Sequence, residues 1–262
     1  MLSYQHGYHA GNLADVHKHA LLATMLGYLT AKDKPLSYIE THAGRGVYAL
    51  DSDAAQKTGE AAQGISRAET LGWFAADHPY ARALAATRAE HGPAAYPGSP
   101  MLAAQLLRRI DNIHLAELHP QEFTALREAM APHGGIFRQI DGLEMALAIT
   151  PPTPRRGVML IDPSYEVKSD YELIPKVIAQ VARKWNVGVI ALWYPILANA
   201  AHLPMTAALR RTHPEALIHE VRFPPARDGH GMIGSGMFVL NPPWGLDGEA
   251  RRLSRLFATL TV

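Results

Sequence analysis

Apolar residues recur at helical spacing near the start of the chain, in NLADVHKHALLATMLGYLTAKDKP (residues 12–35). One side of such a helix is formed by Leu13, Val16, Ala20 and Ala23. Asn12 can cap the N-terminus of this helix, and Pro35 lies beyond its end. The next stretch, LSYIETHAGRG (residues 36–46), is typical of a short buried strand that ends in a glycine turn. The pattern therefore predicts a helix followed by a strand.

Residues 51–97 are rich in Ala, Glu and Arg and have no strand pattern, which predicts a helical insertion. Regular structure resumes at PGSPMLAAQLLRRID, where we expect Ser99 to cap a helix and Pro100 to take its first position. We therefore predict three parts. Residues 1–50 hold the N-terminal tail, first helix and first strand of a core, residues 51–97 form an inserted helical subdomain, and residues 98–262 form the rest of the core.

Strand and helix patterns alternate through the last part of the chain. The strands are predicted at NIHLAEL, GIFRQIDG, RGVMLIDPS and VGVIALWYP, with helical stretches between them. This alternation and the nearly continuous apolar strands favour a doubly wound α/β fold with a parallel sheet. The final stretches, EALIHEVRF and SGMFVLNPPW, predict a long hairpin that makes the last strand antiparallel.

Composition narrows the class of protein. A hydrophobic fraction of 48% and a charged fraction of 19% are those of a globular chain with an ample core. The absence of cysteine excludes disulfides, cysteine-ligated zinc and a cysteine nucleophile. The longest charge-free apolar stretch, VGVIALWYPILANAA, is shorter than the ~20 residues that span a bilayer, and the N-terminus has no signal-peptide pattern. We expect a cytoplasmic monomer without membrane contact, and the net charge of +1 does not separate nucleic-acid binders from other proteins.

Polar residues stand where the predicted parallel strands end, and ligands bind at that edge of such a sheet. They are the turn THAGRG (41–46), Glu117, Asp141 with Gly142, and the run Asp162 to Tyr165. Each has an ordinary alternative: a common glycine turn, an exposed carboxylate, an Asp-Gly turn, or a strand that runs into a turn. No phosphate-binding GxxxxGK[ST] motif follows a strand, and the first turn has only half of a GxGxxG motif. Taken together, these residues favour S-adenosylmethionine over a nicotinamide cofactor.

The run Asp162-Pro163-Ser164-Tyr165 suits transfer of a methyl group to an aromatic amino group. The nitrogen lone pair of such a group is delocalised into the ring, so it needs two acceptors for its N–H hydrogens. The Asp162 carboxylate and the Pro163 carbonyl can be those acceptors, and Tyr165 can stack on the base. The motif usually has a second proline where this chain has Ser164, so we expect an active but less preorganised site.

Two other patterns invite competing interpretations. NPPW (241–244) matches the amino-methyltransferase motif better, but it ends the strand that we predict to be antiparallel, so it should lie at the opposite edge of the sheet. The N-terminal histidines His6, His9, His17 and His19 suggest a metal site near Asp15. On a helix, however, His17 and His19 point about 200° apart. We therefore predict no metal site there.

The whole chain resembles a bacterial family, the adenine-N(6) methyltransferases of large-subunit ribosomal RNA (RlmJ). The resemblance is carried by MLSYQHGYHAGNLADVHKH, THAGRGVY, YPGSP, AELHP, DG, RRGVMLIDPSYE, ALWYP and GMIGSGMFVLNPPW. It implies a Rossmann-like S-adenosylmethionine-dependent methyltransferase sheet with an inserted helical subdomain. It also implies that the substrate is an adenine of 23S rRNA, which we expect to be naked or in an early assembly state, and that the cofactor product is S-adenosyl-L-homocysteine.

The resemblance further implies roles for individual residues. Asp162 would be catalytic, with Pro163 and Tyr165 beside it, and Tyr4 would contact RNA. The cofactor would be bound by Lys18, His19, His42, Ser99, Glu117, Asp141, Gly142 and Asp162. Two alternatives stay open at this point: a DNA adenine methyltransferase of the same chemistry, and a non-catalytic RNA-binding module.

Overall fold

In the computed structural model, which describes residues 6–226 and 231–260, a seven-stranded sheet carries helices on both faces. The strands are β1 (Ser37–Glu40), β2 (Val47–Ala49), β3 (Ala95–Pro97), β4 (Asn112–Ala116), β5 (Ile136–Arg138), β6 (Gly157–Ile161), β7 (Val189–Leu197), β8 (Leu217–Arg222) and β9 (Met232–Leu240). The α-helices are α1 (Leu13–Thr30), α2 (Asp53–Thr58), α3 (Arg67–Thr70), α4 (Pro79–His91), α5 (Ser99–Leu106), α6 (Pro120–Met130), α7 (Gly142–Ile149), α8 (Asp170–Lys184), α9 (Leu203–Thr212) and α10 (Leu246–Ala258).

The order of strands across the sheet is β5-β4-β1-β6-β7-β9-β8. The first five pair in parallel, whereas β9 is antiparallel to both β7 and β8. This confirms the predicted parallel sheet with an antiparallel last strand. The chain runs outward from β1 to β5 and then returns to β6 on the other side of β1, so the strand order reverses between β1 and β6. Ligands of doubly wound sheets bind at the carboxyl ends of the strands beside this reversal.

The central strand β6 shows why the strands are apolar along their whole length. All of its residues are buried. Val158 and Leu160 pack into the core on one face of the sheet, and Met159 and Ile161 pack into the core on the other face. A parallel strand covered by helices on both faces therefore needs apolar side chains at consecutive positions.

Helix α1 is buried on nearly all sides. Its first turn is capped as predicted, because the Asn12 side chain accepts a hydrogen bond from the backbone N–H of Asp15 at 2.9 Å. It ends at Thr30, five positions before Pro35, and it packs against α4, α5, α10 and β9. Even its polar residue Lys18 is only 4% exposed. Neither α1 nor any other described helix is long and apolar enough to cross a membrane.

The segment predicted as a helical insertion contains α2, α3 and α4, with a π-helical turn at Ala62–Ser66. It also contains β3, which sequence did not predict and which pairs antiparallel with β2. The prediction that Ser99 caps α5 is wrong by one residue. Gly98 occupies the cap position, and the Ser99 hydroxyl instead donates a hydrogen bond to Glu40. The Ser99 hydroxyl therefore satisfies a buried carboxyl group and not a backbone N–H of the helix.

Candidate active site

A cavity of about 490 Å³ opens at the carboxyl ends of the parallel strands, beside the reversal of strand order. Every residue that was predicted for the site and that the structure describes lines this cavity. These residues are Lys18, His19, His42, Ser99, Glu117, Asp141, Gly142, Asp162, Pro163 and Tyr165. They come from segments far apart in the sequence, and the fold brings them together. Tyr4 lies outside the described residues.

An ion pair joins α1 to the end of β6. The Nζ atom of Lys18 lies 2.6 Å from Oδ2 of Asp162 and 3.0 Å from Oδ1 of Asp15. Burial alone would lower the pKa of Lys18, but the two carboxylates outweigh burial and raise that pKa above its usual value. Lys18 therefore remains charged, and it holds one oxygen of Asp162 in a fixed position.

Asp15, which sequence placed only near a doubtful metal site, supports this ion pair. It is 2% exposed, and its Oδ2 atom lies 2.9 Å from both Nε2 of His6 and the backbone N–H of Gly11. Burial would raise the pKa of Asp15, but the charges of His6 and Lys18 hold it well below its usual value. Asp15 thus connects the segment before α1 to Lys18.

The turn after β1 meets the end of β4 at Glu117. Gly44 has a φ of 62°, a left-handed conformation that favours glycine, and its N–H donates to Oε2 of Glu117 at 2.8 Å. The N–H of His119 donates to Oε1 at 2.7 Å. Burial nevertheless raises the pKa of Glu117, because these two hydrogen bonds only partly offset it. The glutamate is therefore partly buried and oriented by the backbone, in contrast to the exposed carboxylate of the alternative interpretation.

Asp141 and Gly142 form the start of α7. Oδ1 of Asp141 accepts hydrogen bonds from the N–H groups of Leu143 and Glu144 at 2.8 and 3.0 Å, so Asp141 caps the helix. A Cβ atom at Gly142 would lie 1.8 Å from the carbonyl oxygen of Thr41. Only glycine allows the turn after β1 to approach α7 this closely. The Asp-Gly pair is thus a helix start that also forms part of the cavity wall.

Two neutral histidines line the cavity. Burial lowers the pKa of His19 to about 3 and also lowers the pKa of His42. Nδ1 of His42 is hydrogen bonded to the Thr41 hydroxyl at 2.7 Å, and Nδ1 of His19 to the Tyr96 hydroxyl at 2.9 Å. The other ring nitrogen of His19, Nε2, is buried and has no hydrogen-bond partner among the described residues. A buried polar atom without a partner on the wall of a cavity is available to hydrogen bond a ligand.

Glu40, which sequence analysis missed, lies behind the cavity wall at the end of β1. It is completely buried, and both of its oxygens accept hydrogen bonds, from the hydroxyls of Ser99 and Tyr38. Burial raises the pKa of Glu40 to about 8, the negative charge of Asp162 adds to this, and the two hydroxyls oppose it. This pKa favours the protonated carboxyl group at neutral pH, in which one of the two hydroxyls accepts a hydrogen bond from the carboxyl group instead of donating one. No local pattern marks Glu40, because SYIE is a mixed sequence and only the fold buries all four of its residues.

Tyr165, in the run after β6, is more buried than a freely exposed stacking ring would be. Tyr165 has a φ of 57° and is 9% exposed; its hydroxyl donates to the backbone oxygen of Trp193 at 2.8 Å. Trp193, missed by sequence analysis, is partly exposed and lines the same cavity, with Nζ of Lys18 5.6 Å from its ring centre. Ser164 is exposed. Of these two rings, Trp193 is therefore more accessible to a ligand than Tyr165.

The NPPW motif and His17, which belong to the two competing patterns, do not line the cavity. The Asn241 side chain donates to the carbonyl oxygens of Asn186 and Gly188, just before β7 begins, so NPPW is at the opposite edge of the sheet as predicted. His17 also diverges from His19 as predicted. It is hydrogen bonded to Ser235 and His219, on the side of α1 that packs against β8 and β9.

The chain is similar to known proteins over almost its full length. Residues 33–261 match the family model described as "Ribosomal RNA large subunit methyltransferase D, RlmJ". Two proteins named "Ribosomal RNA large subunit methyltransferase J" are 39% identical in Escherichia coli (94% of this chain, 89% of the relative) and 37% identical in Haemophilus influenzae (97% and 92%). A crystal structure of a Legionella pneumophila protein superposes with a TM-score of 0.86 at 32% identity, covering 96% of this chain and 94% of that chain.

Proposed function

Because the chain belongs to the RlmJ family of large-subunit ribosomal RNA methyltransferases, we propose that it methylates the 6-amino group of an adenine in 23S rRNA. The methyl donor is S-adenosyl-L-methionine, and S-adenosyl-L-homocysteine is released. The observation that carries this proposal is the position of Asp162. Its carboxylate lies at the end of β6 on the wall of the cavity, with one oxygen held 2.6 Å from Lys18.

The chemistry assigned to Asp162 follows from what an aromatic amino group lacks. The two N–H hydrogens of the adenine are accepted by the second carboxylate oxygen of Asp162 and by the carbonyl oxygen of Pro163. These hydrogen bonds draw the nitrogen lone pair out of the ring and stabilise the positive charge that develops on the nitrogen. Bound S-adenosylmethionine supplies an activated methyl group, so alignment of the two reactants provides most of the remaining acceleration.

The remaining residues of the cavity fit this cofactor. The oxygens of Glu117 are oriented by two backbone N–H groups and keep lone pairs for the two hydroxyls of a ribose. Asp141 uses one oxygen for the helix cap, which leaves the other for an adenine amino group. Nε2 of His19 gains the hydrogen-bond partner that it lacks among the described residues. Lys18, His42, Ser99 and Gly142 complete the proposed cofactor pocket.

We propose that the target base binds on the side of the cavity where Tyr165 and Trp193 lie. Tyr165 and Trp193 provide stacking surface next to Asp162, and such contacts are worth ~1–3 kcal/mol per base. An adenine of folded RNA must leave its stack to reach them. Tyr4 is proposed, on the resemblance alone, to contact the RNA. Naked 23S rRNA or an early assembly state is the proposed substrate, and a monomeric cytoplasmic enzyme remains our expectation.

Purified protein with a tritiated methyl donor tests this function. We expect transfer to naked 23S rRNA, with N6-methyladenine identified by mass spectrometry of nucleosides, and little transfer to assembled large subunits. Asp162→Asn should lower the rate by at least ~10²-fold, because a stabilising contact at the reacting nitrogen is lost. Asp247→Asn, at an exposed position on α10, is the matched control and should leave the rate unchanged.

Two outcomes would contradict the proposal. Transfer to duplex DNA in preference to rRNA would favour the DNA methyltransferase. Donor binding without transfer to any RNA would favour a non-catalytic RNA-binding module.

A further inference from the structure

Three side chains that commonly bind metals converge on the surface, away from the residues that line the cavity. Glu90 and His91 are the last two residues of α4, and His133 lies just beyond the end of α6. One ligand atom of each side chain lies within 4.8 Å of the others. We propose that these residues bind a transition-metal ion of the zinc type, which joins the inserted segment to the core.

The separations between the atoms support coordination to a shared ion. Nε2 of His133 is 3.3 Å, and Nε2 of His91 is 3.7 Å, from Oε1 of Glu90. Two ligands of one tetrahedral zinc ion, each at 2.0–2.1 Å from the metal, lie about 3.3 Å apart. Nε2 of His133 is buried but makes no hydrogen bond among the described residues, although the carboxylate oxygen is close. The nitrogen is therefore placed as a ligand of an ion would be placed.

Glu90 is held in an orientation that leaves one oxygen for a metal. The amide of Gln105, on α5, donates a hydrogen bond to Oε2 of Glu90 at 2.8 Å. This contact leaves Oε1 directed toward the two imidazoles. Outer partners of this kind orient the ligands of natural metal sites.

The donor atoms determine which ions the site takes. Two imidazole nitrogens and one carboxylate oxygen suit Zn²⁺, Co²⁺, Ni²⁺ and Cu²⁺, whereas Mg²⁺ prefers oxygen ligands alone. The three side chains are between 18% and 34% exposed, so an ion can reach them and water can complete its coordination. A bound ion would link α4 to the turn after α6, and through Gln105 the ligands also contact α5.

Metal binding can be measured directly on the untagged full-length protein. We expect calorimetry with Zn²⁺ and visible absorption with Co²⁺ to show saturable binding, and Mg²⁺ to show none. Binding should weaken as pH is lowered, because protons compete with the metal ion for the ring nitrogens. Zn²⁺ at about 100 times its dissociation constant should raise the unfolding temperature by about 5 °C.

Variants decide whether these residues are the ligands. His91→Gln and His133→Gln should each weaken Zn²⁺ binding more than about tenfold, since each removes a ligand. His213→Gln is the matched control: His213 also lies beside a carboxylate, 3.8 Å from Glu215, and its loss should leave binding unchanged. The proposal is overturned if the wild-type protein binds neither Zn²⁺ nor Co²⁺, or if both histidine variants bind Zn²⁺ as tightly as wild type. Neither result depends on methyl transfer.

Discussion

Replacing Glu40 by Gln should remove a pH dependence from the stability of the protein. Burial raises the pKa of the Glu40 carboxyl group to about 8 in the folded protein, from an ordinary value of 4.5. Between these values the folded protein keeps a proton that the unfolded chain has released. The free energy of unfolding therefore falls as pH rises through this window and is recovered as pH is lowered.

The size of the effect follows from the pKa change. Each pKa unit corresponds to about 1.36 kcal/mol, so the change from 4.5 to about 8 corresponds to about 5 kcal/mol in total. Between pH 5.5 and 8, wild type should lose about 3 kcal/mol through this group. Glutamine does not titrate, and its amide can both donate to and accept from the hydroxyls of Ser99 and Tyr38. The stability of the variant relative to wild type should therefore rise by about 3 kcal/mol over this range.

Urea unfolding of both proteins at several pH values, followed by circular dichroism, measures this difference. Glu128→Gln, at an exposed position on α6, serves as the control and should give a difference that does not change with pH. A pH-independent difference for Glu40→Gln as well would mean that the carboxyl group is ionised in the folded protein at neutral pH. That result would refute the reasoning.

Two further changes test the residues around Asp162. Lys18→Met leaves the nearly buried carboxylates of Asp15 and Asp162 without their shared cation, so urea unfolding should show a loss of about 3–5 kcal/mol together with slower methyl transfer. Unchanged stability would contradict the role given to this ion pair. Ser164→Pro should retain methyl transfer at an equal or higher kcat, because proline fixes φ and orients the carbonyl group before it. A variant without turnover would show that Ser164 is needed in this site.

Local patterns predicted most of the elements that form the sheet. Apolar strands alternating with amphipathic helices were sufficient for the fold class, because a parallel sheet needs both. The patterns failed where an element is very short or depends on a distant partner. Strands β2 and β3 have three residues each and exist because they pair with one another. Ser99 does not cap α5 as predicted, and its hydroxyl donates a hydrogen bond to Glu40.

The residues of the proposed site also fall into two groups, those that local patterns identified and those that they missed. Glu117, Asp141 and Asp162 could be identified in sequence, because polar residues that follow apolar strands mark the ligand edge of a parallel sheet. Asp15, Glu40 and Trp193 could not, because their roles come from contacts with residues far along the chain.

The sequence by itself determined the order of the strands and helices of the main sheet, the edge at which polar side chains gather and the family to which the chain belongs. These features depend on local periodicity and on motifs of neighbouring residues. Only the tertiary structure decided that Lys18 pairs with Asp162 across 144 positions, that burial raises the pKa of Glu40, and that the Tyr165 hydroxyl bonds to the backbone of Trp193. Charge state and orientation depend on burial and on partners distant in sequence, and these exist only once the chain has folded.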